Sequence, residues 1–600
     1  MSTLAPSSAI AGSGNLEMVV VGSNYNSKAV VVWNGAPLAT TAVSSTVVQA
    51  SIPASALTTA GVAQVKVANG QTSSNVANFT IVQAAGGPCD PPNYCAHTGI
   101  DLQPYSGVQN VPPLLNQSFL DPTFNRKIWR ITDTTTAASG VGTGASFSPT
   151  WGSGFYPGVW NTTETLMLLN SGSGFTQMFA VNVANPNAPS VTPTACSYLD
   201  SPTTCFSGKV VVNGGTTAGQ MFSGVSANVT YGWSQNAIDG NGALVKLDWT
   251  NTISSGGSIA PTRAVLFSPY AVGKCLGSQS YPGFSEPLYV DPADGYFWGQ
   301  GLASGSGSLD ILYKSGASDC KLLNTSVSPW TLSGDTTIGP NGSVTTEDEN
   351  GNVIANAPAC LVHGYFYDPI TNSLFVDGSF SCGSVNNFFL DLTTLVLKQC
   401  SGHCGGHFFG IVNTGTQTGF MGGPDCYTGQ QLSYWFMPFN LVTAKQEWAV
   451  MPSTGSTTCG NLDEHPNGQW TSGFPYLAAF GLYNSGGPAP PVTSLNALLP
   501  YEGEMMVLRC TDGSGTTCTF YRFVHNYTAA GGYDSSAGQY PWGVMTSFSP
   551  DHKWIIWSSN WLGNLGDQTA SPPTTPCTSA APSHCRYDTF MVYLAGGPGT

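Results

Sequence analysis

The segment FSPDHKWIIW, residues 548–557, decides the fold class of this chain. A short apolar strand leads into a Ser-Pro-Asp turn, and a continuous apolar strand follows the turn. Related turn-and-strand segments occur at 147–149, 289–298 and 367–376. A turn and strand that recur along a chain indicate a fold built from repeated units. Strands that are apolar without alternation indicate sheets buried on both faces.

The composition of the 600-residue chain also favours strands. Charged residues make up 8% of it, against roughly 25% in an average soluble domain, and there are 72 Gly. This scarcity excludes coiled coils, helices rich in Glu/Lys pairs and charged disorder. No amphipathic pattern of about 10 residues or more indicates a helix. We therefore predict an all-β protein with a large core.

Charge and cysteine content limit the partners and the compartment. The net charge is −15 with only 17 Lys and Arg, so no basic stripe is available for nucleic acid. No apolar run reaches the roughly 20 residues of a membrane span, so we expect no membrane insertion. Sixteen Cys in closely spaced couples favour an oxidising compartment. Met1–Ile10 lacks signal-peptide features, so we expect a mature segment of a secreted or cell-surface protein.

The composition changes near residue 84. Residues 1–83 are rich in Val, Ser, Thr and Ala and contain no Cys, whereas a Gly/Pro-containing stretch follows and opens the Cys-rich remainder. We predict a first domain at 1–83, a connector at 84–100 and a second domain at 101–600.

The first domain resembles the IPT/TIG family of immunoglobulin-like domains over nearly its whole length. The matching segments are PSS (6–8), AG (11–12), VVVGSNY (19–25), VWNG (32–35), IP (52–53) and NFTIV (78–82). The resemblance implies an immunoglobulin-like β-sandwich. Because such modules act mostly as spacers or adhesion units, it also implies display outside the cell and no chemistry.

The segment 548–560 resembles the repeat of TolB-like and tricorn-like β-propellers. It departs from that repeat at His552, where the family usually has Gly, so the turn must accept a His. The resemblance implies a β-propeller over 101–600. Seven blades would have about 71 residues each, against roughly 40 to 50 in compact repeats, so long loops would project. Six or eight blades stay open, and a string of β-sandwiches would instead predict alternating strands and evenly spaced linkers.

The two ends of the second domain each carry one isolated strand, at 127–132 and 587–594. Each strand alone would leave an unpaired edge. We therefore predict that the two strands pair in one sheet and close the propeller.

Sixteen Cys permit eight local disulfides, because short loops are the easiest to close. An alternative bridge, 382–400, competes with two of the pairs. The predicted pairs are 89–95, 196–205, 275–320, 360–382, 400–404, 426–459, 510–518 and 577–585.

The densest set of candidate metal ligands is Cys400, His403, Cys404 and His407. Two thiolates and two imidazoles suit tetrahedral zinc. The spacing fits none of the common zinc patterns, so a disulfide in a Gly-rich turn, with His403 and His407 as bystanders, is the favoured interpretation.

The candidate functional site combines His363, His465 and His525 with Arg522 and Glu504. Residues near the ends of blade strands tend to line a mouth of the propeller channel, where pockets form. Such a cluster could bind a divalent cation or move protons. Each His alone could equally satisfy a loop carbonyl.

Two functions fit these features. The first is an extracellular protein that binds a polysaccharide or protein partner through the propeller. The second is a metal-assisted polysaccharide lyase of the propeller type, which needs a base, an acid and something to neutralise the uronate carboxylate. A chain of net charge −15 repels polyuronates, so the lyase ranks second and enzymatic activity stays open.

Overall fold

The computed structural model gives the arrangement of most strands. It describes residues 3–5, 8–10, 16–57, 61–70, 72–82, 89–91, 93–98, 111–136, 147–149, 159–171, 176–195, 197–198, 210–211, 221–234, 242–254, 261–277, 288–291, 293–304, 307–348, 350–362, 364–368, 372–377, 382, 387–399, 410–413, 418–427, 431–438, 446–450, 462–463, 467–468, 477–481, 483–484, 503–510, 518–528, 546–565 and 586–596.

The described residues form two compact units. The first lies within Met1–Asn93, and the second begins at Tyr94. In the described part of both units, the single α-helix is α1 (Thr250–Ser254), so the predicted all-β class is confirmed. None of the helices in these residues is long and apolar enough to cross a membrane.

The described residues of the first unit form ten strands in two sheets. One sheet has the order β1-β3-β7-β6, and the other has the order β2-β10-β8-β4-β5, with β9 beside β8. The strands are β1 (Thr3–Ala5), β2 (Ser8–Ile10), β3 (Leu16–Val21), β4 (Ala29–Trp33), β5 (Ala36–Pro37), β6 (Ala39–Ala42), β7 (Val47–Ile52), β8 (Gly61–Asn69), β9 (Thr72–Ser73) and β10 (Ala77–Val82), with a 3-10 turn at Ala54–Leu57.

A single apolar core joins these two sheets. Met18 and Val48 come from the first sheet, and Val65 and Phe79 come from the second. Because both sheets bury one face in the same core, the first unit is a β-sandwich.

In its described residues, the second unit has six successive sheets, one sheet that joins its two ends and two short strand pairs. Sheet 1 holds β13 (Phe147–Pro149), β14 (Leu166–Ser171), β15 (Thr176–Asn182) and β16 (Ser190–Ala195); sheet 2 holds β19 (Met221–Phe222), β20 (Val229–Ser234), β21 (Ala243–Asp248) and β22 (Thr262–Phe267); sheet 3 holds β23 (Tyr289–Val290), β24 (Tyr296–Ser304), β25 (Gly307–Lys314), β26 (Lys321–Asn324), β27 (Thr331–Gly334) and β28 (Gly342–Ser343).

The next three sheets follow the same pattern. Sheet 4 holds β29 (Thr345–Glu347), β30 (Gly364–Asp368), β31 (Ser373–Asp377), β32 (Asn387–Asp391) and β33 (Val396–Gln399); sheet 5 holds β34 (Gly410–Asn413), β35 (Thr418–Tyr427), β36 (Gln431–Pro438) and β37 (Gln446–Val450); sheet 6 holds β39 (Asn467–Gly468), β40 (Leu477–Gly481), β42 (Glu504–Cys510) and β43 (Cys518–His525). Two short pairs lie outside them, β17 (Ser197–Tyr198) with β18 (Val210–Val211), and β38 (Leu462–Asp463) with β41 (Tyr483–Asn484).

The closing sheet contains strands from both ends of the unit, in the order β11-β12-β46-β45-β44. Its strands are β11 (Ser118–Asp121), β12 (Arg126–Arg130), β44 (Thr546–Phe548), β45 (Trp554–Ser559) and β46 (Asp588–Tyr593), and a 3-10 turn follows β45 at Trp561–Gly563. In the antiparallel pair of β12 and β46, Ile128 lies opposite Val592. The predicted pairing of the two ends is therefore confirmed.

Apolar residues fill the spaces between neighbouring sheets. Trp160 of the segment before β14 packs in one cluster with Trp554 and Met591 of the closing sheet. All six residues of β45 are buried, which explains the unbroken apolar run at 554–557. β34 of sheet 5 contacts β39 of sheet 6, and β39 also contacts β44 of the closing sheet. A succession of small sheets whose first strands adjoin is the arrangement of a β-propeller.

Two of the predicted disulfides are present. Cys275–Cys320 links the segment after sheet 2 to sheet 3, and Cys360–Cys382 excludes the alternative bridge 382–400. Cys89 and Cys95 are both disulfide-bonded. Each remaining predicted bridge involves a Cys whose side chain lies outside the described residues; of these, Cys510 and Cys518 lie opposite each other in the β42–β43 ladder.

Candidate functional site

In several sheets of the second unit, a short turn joins the first two successive antiparallel strands, although in sheet 1 this connection is long (150–165); several connections at the opposite end of the sheets are long, and others, such as 305–306, are short. We call the end where the first strand passes into the second the short-turn end; its turns include 223–228, 291–295 and 549–553. The opposite end is called the loop end. Its connections include 451–466 and 526–545.

Turns at the short-turn end bind one another across the sheet boundaries. Asn161 Nδ2 of the sheet 1 turn donates to the carbonyl of Ala227 in the sheet 2 turn, at 3.0 Å. The backbone N–H of Asp551 in the closing sheet donates to Oε1 of Glu164 in the sheet 1 turn, at 2.6 Å. These polar groups are therefore already hydrogen-bonded within the protein and are not available to bind a ligand.

The boundary between sheets 2 and 3 uses an acidic side chain in the same way. Asp294 Oδ2 accepts hydrogen bonds from Ser223 Oγ at 2.5 Å and from the Tyr231 hydroxyl at 2.8 Å. Burial and the neighbouring Asp294 carboxylate raise the pKa of Tyr231. The Tyr231 hydroxyl therefore stays protonated and donates its hydrogen bond to Asp294.

The closing-sheet turn contains His552 at the position where the propeller repeat usually has Gly. Its φ of 59° is the left-handed conformation in which a Gly would be expected. The ring is buried against Phe548, with 5.2 Å between centroids, and burial lowers the pKa of His552 to about 3. The carbonyl of His552 accepts a hydrogen bond from the Tyr94 hydroxyl at 3.0 Å. This His is a neutral residue of the core.

Glu504 and Arg522, two predicted site residues, form a buried ion pair. Nε of Arg522 lies 2.6 Å from one carboxylate oxygen of Glu504, and Nη2 lies 2.5 Å from the other. Both side chains are at most 1% exposed. Burial raises the pKa of Glu504, and the Arg522 guanidinium opposes that rise. Two parallel charge-assisted bonds fix the pair in one geometry.

His525, the third described member of the predicted site, pairs with Asp121 of β11. Asp121 Oδ2 accepts the backbone N–H of His525 at 2.9 Å and lies 3.0 Å from its Nδ1. Burial raises the pKa of Asp121, but the hydrogen bonds and charge of His525 outweigh burial and bring it below its usual value. Both side chains are at most 1% exposed.

His97 and Phe124 complete this cluster. The N–H of Arg522 donates to the carbonyl of His97 at 2.9 Å. The Phe124 ring lies between the two imidazoles, 6.4 Å from His97 and 5.0 Å from His525. The cluster therefore joins sheet 6, the closing sheet and the chain that follows Tyr94.

Sequence reasoning found three members of this cluster and missed Asp121 and His97. Asp121 precedes Pro122 and so carries the Asp-Pro signature that marks the repeat turns, which was the available signal. Nothing local marks His97, because its role depends on a strand that lies far along the chain.

The remaining predicted site residues, His363, His465, His403 and His407, lie outside the described residues. In the sequence, His363 directly precedes β30, and His465 comes two residues before β39. β30 is an edge strand of sheet 4 and β39 is an edge strand of sheet 6, whereas His525 ends β43, the opposite edge strand of sheet 6. Their predicted convergence with His525 stays a prediction.

One group of potential metal ligands occurs within the described residues, namely Cys275, Asp319 and Cys320. The two Cys are joined in a disulfide, so neither sulfur is a thiolate. Asp319 Oδ1 instead accepts the backbone N–H groups of both Cys, each at 2.8 Å. This group holds the disulfide loop in place.

No family model and no curated protein matches the chain. A putative TolB from Agrobacterium tumefaciens is 11% identical over 50% of this chain and 80% of its own, with a TM-score of 0.24. An auxiliary nutrient binding protein from Bacteroides ovatus is 10% identical over 98% and 96%, with a TM-score of 0.25. A prolyl endopeptidase structure is 8% identical over 76% and 62%, with a TM-score of 0.28. At such low TM-scores, function must be inferred from the chain's own residues.

Proposed function

We propose that this chain is an extracellular binding protein in which a seven-bladed propeller binds a glycan or protein partner at its loop end. The six sheets and the closing sheet would be the blades, and the first unit would be an IPT/TIG-type spacer. The difference between the two ends of the sheets carries this proposal. At the short-turn end, hydrogen bonds between turns use the polar groups, whereas long connections remain for recognition at the loop end.

The composition of the loop-end connections supports a neutral glycan above a protein or a polyanion. Segment 526–545 contains one charged residue, Asp534, among Tyr, Trp, Gly and Ser, and segment 400–409 contains none, whereas segment 451–466 carries Asp463 and Glu464 beside His465. Aromatic rings can cover apolar faces of sugars, and small polar residues can bond hydroxyl groups. A net charge of −15 disfavours polyuronates.

The described acid and base groups support binding above the lyase alternative. A lyase needs a base and an acid within reach of substrate. Glu504, Arg522 and His525 are buried and bonded to protein partners: Glu504 and Arg522 pair within sheet 6, and His525 pairs with Asp121 of the closing sheet. His363 and His465 stay as proposed loop-end residues that would contact the glycan.

Binding can be tested by retention of the purified chain on insoluble or immobilised polysaccharides, neutral and charged, with and without divalent cations. We expect retention on a neutral polysaccharide, unaffected by a chelator, with no release of unsaturated sugars. His465→Ala should weaken retention. Ser315→Ala, at an exposed position between the third and fourth strands of sheet 3, is the control and should not.

Two outcomes would contradict this proposal. Release of unsaturated products that His465→Ala abolishes would establish the lyase. Equal retention of both variants, with both folded, would show that His465 does not contribute to binding.

A further inference from the structure

Lys321 of β26 is the only buried lysine in the part of the chain that the structure describes. Its ammonium lies against the connection 335–341, which joins β27 to β28. Nζ donates to the carbonyls of Gly339 and Pro340, each at 2.6 Å, and to Oδ1 of Asn341 at 2.8 Å. These bonds use all the N–H groups of the ammonium, and each acceptor is a neutral oxygen.

No carboxylate of the described residues bonds to the Lys321 ammonium. The carboxylate of Asp335, in the same connection, instead accepts the backbone N–H and the hydroxyl of Thr337, at 2.8 and 3.0 Å. Burial lowers the pKa of Lys321 to about 8, although the charge of Asp335 acts in the opposite direction. Lys321 is therefore a buried cation at neutral pH, and it lacks a bonded counter-charge.

Asn341 carries the carbonyl group on which this charge acts. Its side chain is exposed, and its amide nitrogen donates one long bond, of 3.3 Å, to the carbonyl of Gly334. Gly342 follows, so no side chain shields the next backbone nitrogen. An Asn before Gly can lose ammonia, because that backbone nitrogen can attack the side-chain carbonyl carbon. The ammonium bonded to Oδ1 lies where negative charge develops during the attack.

We propose that Asn341 is a self-modification site, at which the Lys321 ammonium promotes conversion of the asparagine to an aspartate. The nitrogen of Gly342 bonds to Cγ of Asn341 and gives its proton to water, and the Cγ–Nδ2 bond breaks with release of ammonia. Water then opens the cyclic imide at either of its carbonyl groups and leaves one carboxylate. The whole reaction consumes one water molecule and releases one ammonia molecule.

The product supplies the counter-charge that Lys321 lacks. When the imide opens at Cγ, a carboxylate replaces the carboxamide, and one of its oxygens takes the position of Oδ1 beside Nζ. A hydrogen bond to a neutral acceptor thereby becomes an ion pair, which is stronger. This pair would hold the connection 335–341 against β26, so we expect the modified chain to be the more stable form.

Other Asn-Gly pairs with described side chains provide internal references, because no lysine bonds to their Asn. Oδ1 of Asn34 accepts the backbone N–H of Gln64 at 2.7 Å, and Oδ1 of Asn69 accepts that of Asn26 at 3.1 Å. The reference pairs are Asn34-Gly35, Asn69-Gly70 and Asn350-Gly351.

The site can be tested by incubating the full chain at neutral pH and measuring conversion at each Asn-Gly pair by peptide mapping with mass spectrometry. Lys321→Met should slow conversion of Asn341 several-fold and leave the three reference pairs unchanged, because only Asn341 loses its charged donor. Lys314→Met, at a partly buried lysine of the neighbouring strand β25, is the matched control and should not slow it. Asn341→Asp should unfold at a higher temperature than the freshly purified wild type.

Three results would overturn the proposal. Asn341 could convert equally fast in the wild type and in Lys321→Met, or Asn341→Asp could be less stable than the unmodified chain. A peptide in which Lys321 is joined to Asn341 with loss of ammonia would show that Nζ itself attacks the carboxamide. If Lys321→Met does not fold, the wild type unfolded in guanidinium takes its place, and equal conversion of Asn341 in the folded and unfolded chains would be the contrary result.

Discussion

At the scale of single residues, charged side chains in the described part of the second unit act mainly as fixed connections. Arg130 and Arg586 both bind Asp588, whose carboxylate is fully buried. Glu504 and Arg522 form a second buried ion pair, between the neighbouring strands β42 and β43 of sheet 6. A chain with 8% charged residues therefore uses several of them where the ring is joined. Buried pairs of this kind fix geometry more than they add stability.

Removing one partner of the Glu504–Arg522 pair should cost much more than removing both. Glu504→Leu would leave the Arg522 guanidinium buried without a counter-charge, and we expect a loss of about 3 to 5 kcal/mol in unfolding free energy. Glu504→Leu combined with Arg522→Leu should regain a large part of that loss. Denaturant unfolding of the three proteins measures this. A double variant no more stable than Glu504→Leu would show that the pair has further partners on which the fold depends.

At the scale of elements, close approach between sheets requires small residues at particular strand positions. Gly299 of β24 faces the indole of Trp233 of β20, and a Cβ at Gly299 would lie 2.3 Å from Trp233 Nε1. The indole therefore occupies the space that any larger side chain would need. This contact sets the distance between sheets 2 and 3.

Gly299→Ala should destabilise the chain by about 1 to 3 kcal/mol through overpacking. The cost should shrink in a Trp233→Phe background, because the phenyl ring lacks the pyrrole atoms nearest to Gly299. Thermal unfolding of the two single variants and the double variant tests this coupling. If the two substitutions change the unfolding free energy additively, the strain in Gly299→Ala does not arise from contact with Trp233.

At the scale of the whole molecule, Arg126 joins three separate parts of the second unit. Its guanidinium donates to the carbonyls of Cys95, Tyr593 and Gly596 and lies 5.2 Å from the ring centroid of Phe523. Burial lowers the pKa of Arg126 to about 10. It therefore remains charged at neutral pH and links the segments near the two ends of the second unit, beside Phe523 of sheet 6.

Arg126→Met should lower the unfolding free energy on the order of 3 kcal/mol, because three bonds from a charged donor are lost. Arg126→Lys should be intermediate, since an ammonium keeps the charge without the planar fork. Calorimetry should show the unfolding transition of the second unit at a lower temperature in Arg126→Met than in the wild type. An unchanged transition in Arg126→Met would mean that strand pairing alone closes the ring.

Local chemistry made much of the fold predictable. The Asn34-Gly35 dipeptide forms the β4–β5 turn with φ of 46° and 88°, as a two-residue hairpin requires. The apolar run of β45 is buried throughout. The bridges 275–320 and 360–382 join Cys that are close in the chain.

The amino-acid sequence was sufficient to predict the all-β class, several turns, the end-to-end strand pairing and the bridges 275–320 and 360–382, because each depends on the conformation of nearby residues or on an exposed edge that must be paired. The burial of Glu504, Arg522 and His525, and their pairing with protein groups, became evident only from the packed strands. Asp121 reaches His525 across 404 residues. No local pattern encodes such a contact, because it depends on how the packed sheets bring distant turns together. A buried charged residue cannot be solvated by water, so its role depends on the protein groups that bond to it. The local sequence does not reveal those groups.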